Sequence, residues 1–145
     1  VRSMGRTATG VKGITLSDND EVVGMEILEE NNDVLIVTKN GYGKRTKEEE
    51  YRVQSRGGKG LKTCNITSKN GPLVAVKTVT GEEDLMLITA GGVMIRIAVD
   101  EISCLGRNTL GVKLIKLDED GYVATVAKVE KEEENDEDIL EEEQE

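Results

Sequence analysis

The sequence contains no histidine, tryptophan or phenylalanine, and it has only three tyrosines, two cysteines and one proline. Without histidine, neither a Ser–His nor a Cys–His catalytic pair can form. Cys64 and Cys104 alone are too few soft ligands for a zinc site. The phosphate-binding pattern G-x-x-x-x-G-K-[ST] is also missing, which excludes a P-loop. The sequence therefore predicts no catalytic residue, no metal site and no cofactor in this segment.

Long hydrophobic runs are missing as well. No apolar stretch is long enough to cross a bilayer, and the first residues have no signal-peptide pattern. We therefore expect a cytoplasmic protein without a membrane partner, whose two cysteines are small buried hydrophobes rather than a disulfide. Because aromatic residues are so few, the core must consist of Val, Ile, Leu, Met and Ala, which favours thin sheets.

The net charge of −10 is distributed unevenly along the chain. Residues 130–145 hold eleven acidic side chains and one lysine, which leaves 18 acidic and 18 basic side chains in residues 1–129. A block of like charge with almost no apolar residues cannot offset the entropy of its chain. We therefore expect a neutral folded body followed by a disordered acidic tail.

An internal repeat of about fifty residues runs through the body. The segments Arg6–Lys12, Arg56–Lys62 and Arg107–Lys113 share the pattern R-x-x-x-G-[VL]-K, and their arginines are 50 and 51 positions apart. Asp33–Thr38 likewise corresponds to Asp84–Thr89 at an offset of 51. The sequence therefore predicts repeated structural units of about 6–55 and 56–106, with a partial unit at 107–129.

Each repeat is typical of β-strands rather than helices. Val34–Val37 and Leu85–Ile88 are continuous apolar runs, as expected of inner strands. A third run, Val22–Ile27, matches Leu73–Thr78 and Tyr122–Ala127. Four dipeptides that favour the positive φ of tight hairpins punctuate these runs: Asn40-Gly41, Asn70-Gly71, Gly91-Gly92 and Asp120-Gly121. We predict an all-β, propeller-like partial array of blades with about four antiparallel strands each, too short to close a ring.

Basic residues concentrate in the repeated loops. Residues 39–62 contain eight lysines and arginines against three glutamates, and residues 1–13 contain three bases and no acid. A basic stripe of this kind fits a phosphate backbone, and the glycines allow backbone N–H groups to approach an anion. The candidate residues for binding double-stranded DNA are Arg6, Lys12, Lys44, Arg45, Arg52, Gln54, Arg56, Gly57, Gly58, Lys59, Gly60, Lys62, Arg107 and Lys113.

Two alternatives remain for these loops. The glycines could serve only a tight connection, with the bases as ordinary solvated side chains. Recurrence of the bases favours function, since a turn needs the glycine but not the same charges. Binding of single strands is disfavoured, because no tyrosine lies inside the loops to stack on bases.

Three strings carry a family resemblance. Met4–Ile14, Asn40–Thr46 and Glu101–Ile115 resemble the last two to three blades of the C-terminal domain of the bacterial DNA gyrase A subunit, and the acidic tail is similar to the end of that protein. The resemblance implies a β-pinwheel whose basic rim wraps duplex DNA and supports ATP-dependent negative supercoiling by a type II topoisomerase. It implies the rest of gyrase A and the gyrase B protein as partners, association with the bacterial nucleoid, and use of ATP and Mg²⁺ only in other domains or subunits.

The family signature, the gyrase box Q-[RK]-R-G-G-[RK]-G, has a near match in Gln54–Gly60. Ser55 stands where the family has a base, so the resemblance implies a degenerate copy, with the complete box on an earlier blade. The tyrosines are not expected to be nucleophiles. Two rival interpretations are the C-terminal domain of the topoisomerase IV A subunit, and a propeller-like protein-interaction module that does not bind DNA.

Overall fold

The computed structural model describes residues 1–131, which form an all-β fold. Within them the only helical elements are two single 3-10 turns, Glu48–Glu50 and Val99–Glu101. The seven strands are β1 (Asp33–Thr38), β2 (Tyr42–Lys47), β3 (Leu73–Val79), β4 (Glu83–Thr89), β5 (Met94–Ala98), β6 (Val112–Lys113) and β7 (Val123–Glu130). The predicted fold class is confirmed.

The strands form two antiparallel sheets of similar design. One has the order β3-β1-β2-β6 and the other β5-β4-β7, so the predicted inner strands β1 and β4 are central in their sheets. Leu35 and Val37 of β1 and Leu85 and Leu87 of β4 are completely buried in one shared apolar core. Apolar side chains of both sheets therefore stabilise the array by excluding water from a common interface.

The sheets do not coincide with the units predicted from the sequence. In each sheet a β-hairpin of one repeat pairs with a strand of the following repeat: β3 lies beside β1, and β7 lies beside β4. One sheet thus spans residues 33–79 together with β6, and the other spans residues 83–130. The boundaries at residues 55 and 106 separate strands that pair, because the repeat of the sequence is out of phase with the sheets.

Two of the four glycine dipeptides form hairpins as predicted. Gly41, with φ +83°, lies in the β1–β2 turn, and Gly92, with φ +85°, lies in the β4–β5 turn. The hairpin prediction is wrong for Asn70-Gly71 and Asp120-Gly121. These turns lead into β3 and β7. Strand β3 pairs with β1 and strand β7 pairs with β4, so neither pairs with the strand that comes directly before its turn.

The first 32 residues contain no strand, so the strand expected at Val22–Ile27 is absent. Its equivalents β3 and β7 each pair with a hairpin that precedes them, and residues 1–21 form no hairpin. This segment instead lies along β3, where the carboxylate of Glu26 is 3.7 Å from the ammonium of Lys77. Most of it is exposed, including Met25 and Ile27.

Two smaller expectations also change. Cys64 is buried as predicted, but Cys104 is exposed, on a segment that lies beside Arg45 of β2. Strand β7 continues through Glu130, so it includes the first residue of the predicted acidic tail. The expected disorder of that tail concerns residues 132–145, which lie outside the described residues.

Candidate nucleic-acid interface

The three R-x-x-x-G loops lie next to each other. The amide of Thr15, just after the first loop, donates to the carbonyl of Gly58 in the second at 2.8 Å. Fifty residues later the same bond recurs, from the amide of Asn65 to the carbonyl of Thr109 in the third loop at 3.0 Å. The sequence predicted one loop per unit, and backbone hydrogen bonds join these loops into one continuous strip.

The glycine of each loop has a left-handed backbone. Gly10, Gly60 and Gly111 occupy the same position of the pattern and have φ values of +88°, +85° and +86°. Residues with a Cβ rarely adopt this conformation, whereas glycine does so without steric cost. Backbone geometry therefore accounts for the recurring glycine in all three copies, and the recurring bases need a separate explanation.

Gly57, the first of the two consecutive glycines of the second loop, does not have the predicted use. The amide of Gly57 donates to the carbonyl of Gly13 at 2.9 Å, so this N–H group is not free for an anion. The carbonyl of Gly57 also accepts the hydroxyl of Thr15. These contacts hold the second loop against the segment that follows the first, and they make the glycines part of the connection between loops.

The basic side chains of the strip point mainly to solvent. The exposed candidates are Arg6, Lys12, Arg52, Gln54, Arg56, Gly58, Lys59, Gly60, Lys62 and Lys113. Residues 54–56, 58 and 60 line a shallow depression together with Gly13 and Ile14. Arg107 is half-buried, and its guanidinium donates to the carbonyl of Lys62 at 2.8 Å, which links the second and third loops.

Lys44 does not belong to this exposed set. It is 0% exposed, and its ammonium donates to the carbonyls of Gly106, Arg107 and Thr109 and to the Thr109 hydroxyl. Burial lowers the pKa of Lys44, since a charged ammonium loses solvation inside the fold, and Arg107 lowers it further while Cys64 and Glu50 oppose the shift. Because its ammonium is enclosed by the third loop, we remove Lys44 from the candidate residues that contact DNA.

Arg45 is likewise engaged within the protein. Its guanidinium lies 3.2 Å from the carboxylate of Asp33 and donates to the carbonyl of Ile102 at 2.8 Å. Arg96 and Asp84 repeat the ion pair 51 residues later, with 2.6 Å between Nε and Oδ2. Arg45 therefore fixes the hairpin and its neighbour, and we remove it from the candidate DNA-binding surface. The joint repetition of both charges across each hairpin was a sequence signal for this role.

Two residues that are not among the predicted site residues support the third loop. The carboxylate of Glu50 accepts the amide of Arg107 at 3.1 Å. The buried side chain of Asn70 donates to the carbonyls of Asn65 and Leu110 at 2.9 and 3.1 Å. The contacts with Arg107 and Leu110 join residues 40 or more positions apart, and no local pattern in the sequence indicates them.

Comparisons with known proteins agree with this arrangement. A family described as "DNA gyrase C-terminal domain, beta-propeller" matches residues 1–29, 32–80 and 83–130, and its second and third ranges follow the two sheets. The chain is 57% identical over 131 residues to the DNA gyrase A subunit of Staphylococcus aureus, strains MRSA252 and NCTC 8325. The match covers 89% of this chain and 15% of each relative, so the chain spans about a seventh of their length.

Solved structures show the same fold. A DNA gyrase A C-terminal domain superposes with a TM-score of 0.81 at 28% identity, covering 89% of this chain and 44% of that one. The C-terminal domain of DNA topoisomerase IV superposes with a TM-score of 0.77 at 22% identity over 93% of this chain and 43% of that one, which shows a shared fold alone. Among residues 1–131, none forms a helix with the length and apolarity that crossing a membrane requires.

Proposed function

The chain belongs to the DNA gyrase C-terminal domain family, and on this premise we propose that its strip of loops binds the backbone of duplex DNA without sequence preference. In a parent gyrase A subunit this binding would form part of the surface that wraps DNA during ATP-dependent negative supercoiling. The rest of gyrase A and the gyrase B protein are the proposed partners, and ATP and Mg²⁺ would act in those other parts. The proposed location is the bacterial cytoplasm, at the nucleoid. We propose that this segment catalyses no reaction itself.

The observation that carries the proposal is the contiguity of the three loops. Equivalent backbone hydrogen bonds connect the first loop to the second and the second to the third. Each loop carries exposed bases, of which Lys12, Lys62 and Lys113 occupy one equivalent position. A row of cations suits a duplex, which carries a phosphate in every nucleotide. Contacts of this kind position DNA without reading its bases.

The composition of the strip supports duplex over single-stranded DNA. The tyrosines near it are occupied within the protein: Tyr42 is 9% exposed, and the hydroxyl of Tyr51 is hydrogen-bonded to Thr63. Stacking on bases, on which most single-strand binders rely, therefore has little support here. A curved row of loops would also bend the duplex, at a cost of about 1–6 kcal/mol for a short site, which further contacts offset.

The second loop offers the clearest test. We expect the double substitution Arg56→Ala, Lys59→Ala to weaken binding equally on unrelated duplex sequences, because both side chains are exposed on the second loop. Each lost phosphate contact reduces the slope of log K against log salt by about 0.9, so the slope falls by about two. Gel shifts with linear duplexes over a salt series measure both quantities. The matched control is Lys77→Ala, which removes a base of β3 that is paired with Glu26.

Two results would contradict the proposal. An unsubstituted chain that fails to shift duplex DNA at low salt, even without residues 132–145, would exclude DNA binding by this segment. Salt-insensitive binding to a protein partner would instead favour the interaction-module alternative. Topoisomerase IV shares the fold, and the 57% identity to the gyrase A subunit favours the gyrase assignment.

A further inference from the structure

Lys44 is the one lysine that is fully buried among residues 1–131, and none of its hydrogen-bond partners is charged. Its ammonium donates to the carbonyls of Gly106, Arg107 and Thr109 at 2.7, 2.9 and 3.1 Å, and it is 3.0 Å from the Thr109 hydroxyl. Three donor hydrogens thus meet four oxygens of a single turn. Burial of a lysine without a carboxylate is costly, so a specific role is needed to explain it.

The turn that Lys44 holds is the third R-x-x-x-G loop. Carbonyl oxygens of residues 106, 107 and 109 converge on one point, and without a positive charge there their dipoles would repel each other. Since these oxygens face the buried ammonium, they are turned away from the exposed side of the strip. The same contacts fix the backbone of Arg107, whose guanidinium reaches the second loop at Lys62. Lys44 thus determines both the shape and the electrostatics of the loop.

The second hairpin shows that this lysine is not required to build a sheet. The equivalent position on β5, at an offset of 51, is Ile95, which packs against the apolar core. Neighbouring Arg45 and Arg96 are equivalent and make the same ion pair in both sheets. The fold therefore accepts an apolar residue at a position where the described residues place no such loop, which assigns the lysine to the loop rather than to the hairpin.

We propose that Lys44 is a positioning residue for DNA binding, which preorganises residues 106–113 for contact with phosphates and does not touch DNA itself. The inference depends on the proposed function, because it explains how one of the three loops acquires its binding geometry. Preorganisation raises affinity by removing the cost of ordering a loop when the ligand binds. It makes no direct contribution to the release of counterions, since a buried charge neutralises no phosphate.

The test compares the substitution Lys44→Met with Lys59→Met in the 145-residue chain, with linear duplex DNA over a salt series. Methionine keeps the length of the lysine side chain and removes its ammonium. For Lys44→Met we expect the dissociation constant to rise on the order of tenfold, with an unchanged salt slope. For Lys59→Met the slope should flatten by about 0.9, as for one lost phosphate contact. The control Lys77→Met removes an equal charge outside the loops and should bind as the unsubstituted chain does.

Hydrogen exchange of the amides at 106–111 provides a second readout, and faster exchange there in Lys44→Met is expected. If that variant does not fold, Thr109→Val removes a single oxygen from the cluster and should raise the dissociation constant by a smaller factor, again at constant slope. Unchanged affinity in the folded variant would overturn the positioning role and leave the proposed function intact. A slope that flattens by about 0.9 would show that Lys44 contacts DNA directly. No binding by the unsubstituted chain would overturn both proposals.

Discussion

Gly60 and Gly111 provide an internal comparison between backbone conformation and close packing. They occupy the same position of the repeated pattern and have nearly the same φ, +85° and +86°. Their surroundings differ. A Cβ on Gly60 would meet only the Ile14 side chain at 3.6 Å, an ordinary contact, whereas a Cβ on Gly111 would lie 2.8 Å from the carbonyl oxygen of Gly43. Alanine at the two positions therefore has the same conformational cost but a different steric one.

The expected magnitudes follow from this geometry. A left-handed backbone costs an alanine about 1–2 kcal/mol, which sets the expected destabilisation by Gly60→Ala. Gly111→Ala has the same cost, and the contact to the backbone of β2 cannot be relieved by rotating a side chain. To make room, β6 must move away from Tyr42 and Gly43, its partners in the sheet. Weakening two backbone hydrogen bonds adds about 1–3 kcal/mol, so we expect a total of about 2–5 kcal/mol.

Urea denaturation followed by circular dichroism measures the difference. With a slope of about 1–3 kcal/mol per molar urea, an additional 2 kcal/mol lowers the midpoint of Gly111→Ala by roughly 1 M relative to Gly60→Ala. Equal midpoints for the two variants would refute the argument from close packing. No destabilisation by Gly60→Ala would refute the argument from φ, since nothing else at that site opposes a methyl group. Gly10→Ala, with φ +88° and open space around it, is a third member of the series.

Two further predictions concern ionisable groups. Cys104 is exposed while burial raises the pKa of the Cys64 thiol, so alkylation of the native protein should label Cys104 first, and equal rates by mass spectrometry would contradict the described burial. Although partial burial acts to raise it, the pKa of Glu83 is lowered, because its carboxylate accepts the amides of Thr80 and Gly81. The stability that the Glu83 carboxylate gives to the fold is therefore present above the pKa of an unfolded glutamate. It is lost as the pH falls through the lowered pKa of Glu83 in the folded protein. Glu83→Gln should remove this part of the acid-induced loss of stability, and an unchanged pH profile of urea midpoints would disprove it.

Much of the fold can be read from the sequence because the relevant signals are local. Apolar β-branched residues occupy every second position of residues 93–99, a pattern typical of a strand with one buried face, and Ile95 and Ile97 among them pack against the core. The hairpin at Asn40-Gly41 was equally accessible, since its geometry depends on a glycine with positive φ. The pairing of β1 with β3 could not be predicted from the sequence, because β3 follows β1 by more than thirty residues and pairing across that distance leaves no local pattern. For this reason the predicted units cut through both sheets.

The candidate site divides in the same way. Recurrence of arginine, glycine and lysine at intervals of about fifty residues located the three loops, and their identical glycine conformations follow from the pattern. The sequence did not show which of the basic side chains are buried and which are exposed. Lys44 and Lys59 are the same residue type in the same basic segment, yet one is enclosed by a loop more than sixty residues away and the other is exposed. The sequence alone determined the repeat, the central strands β1 and β4, and the glycines, since these depend on neighbouring residues. Only the tertiary structure decided which bases face solvent, because burial depends on segments that meet after folding.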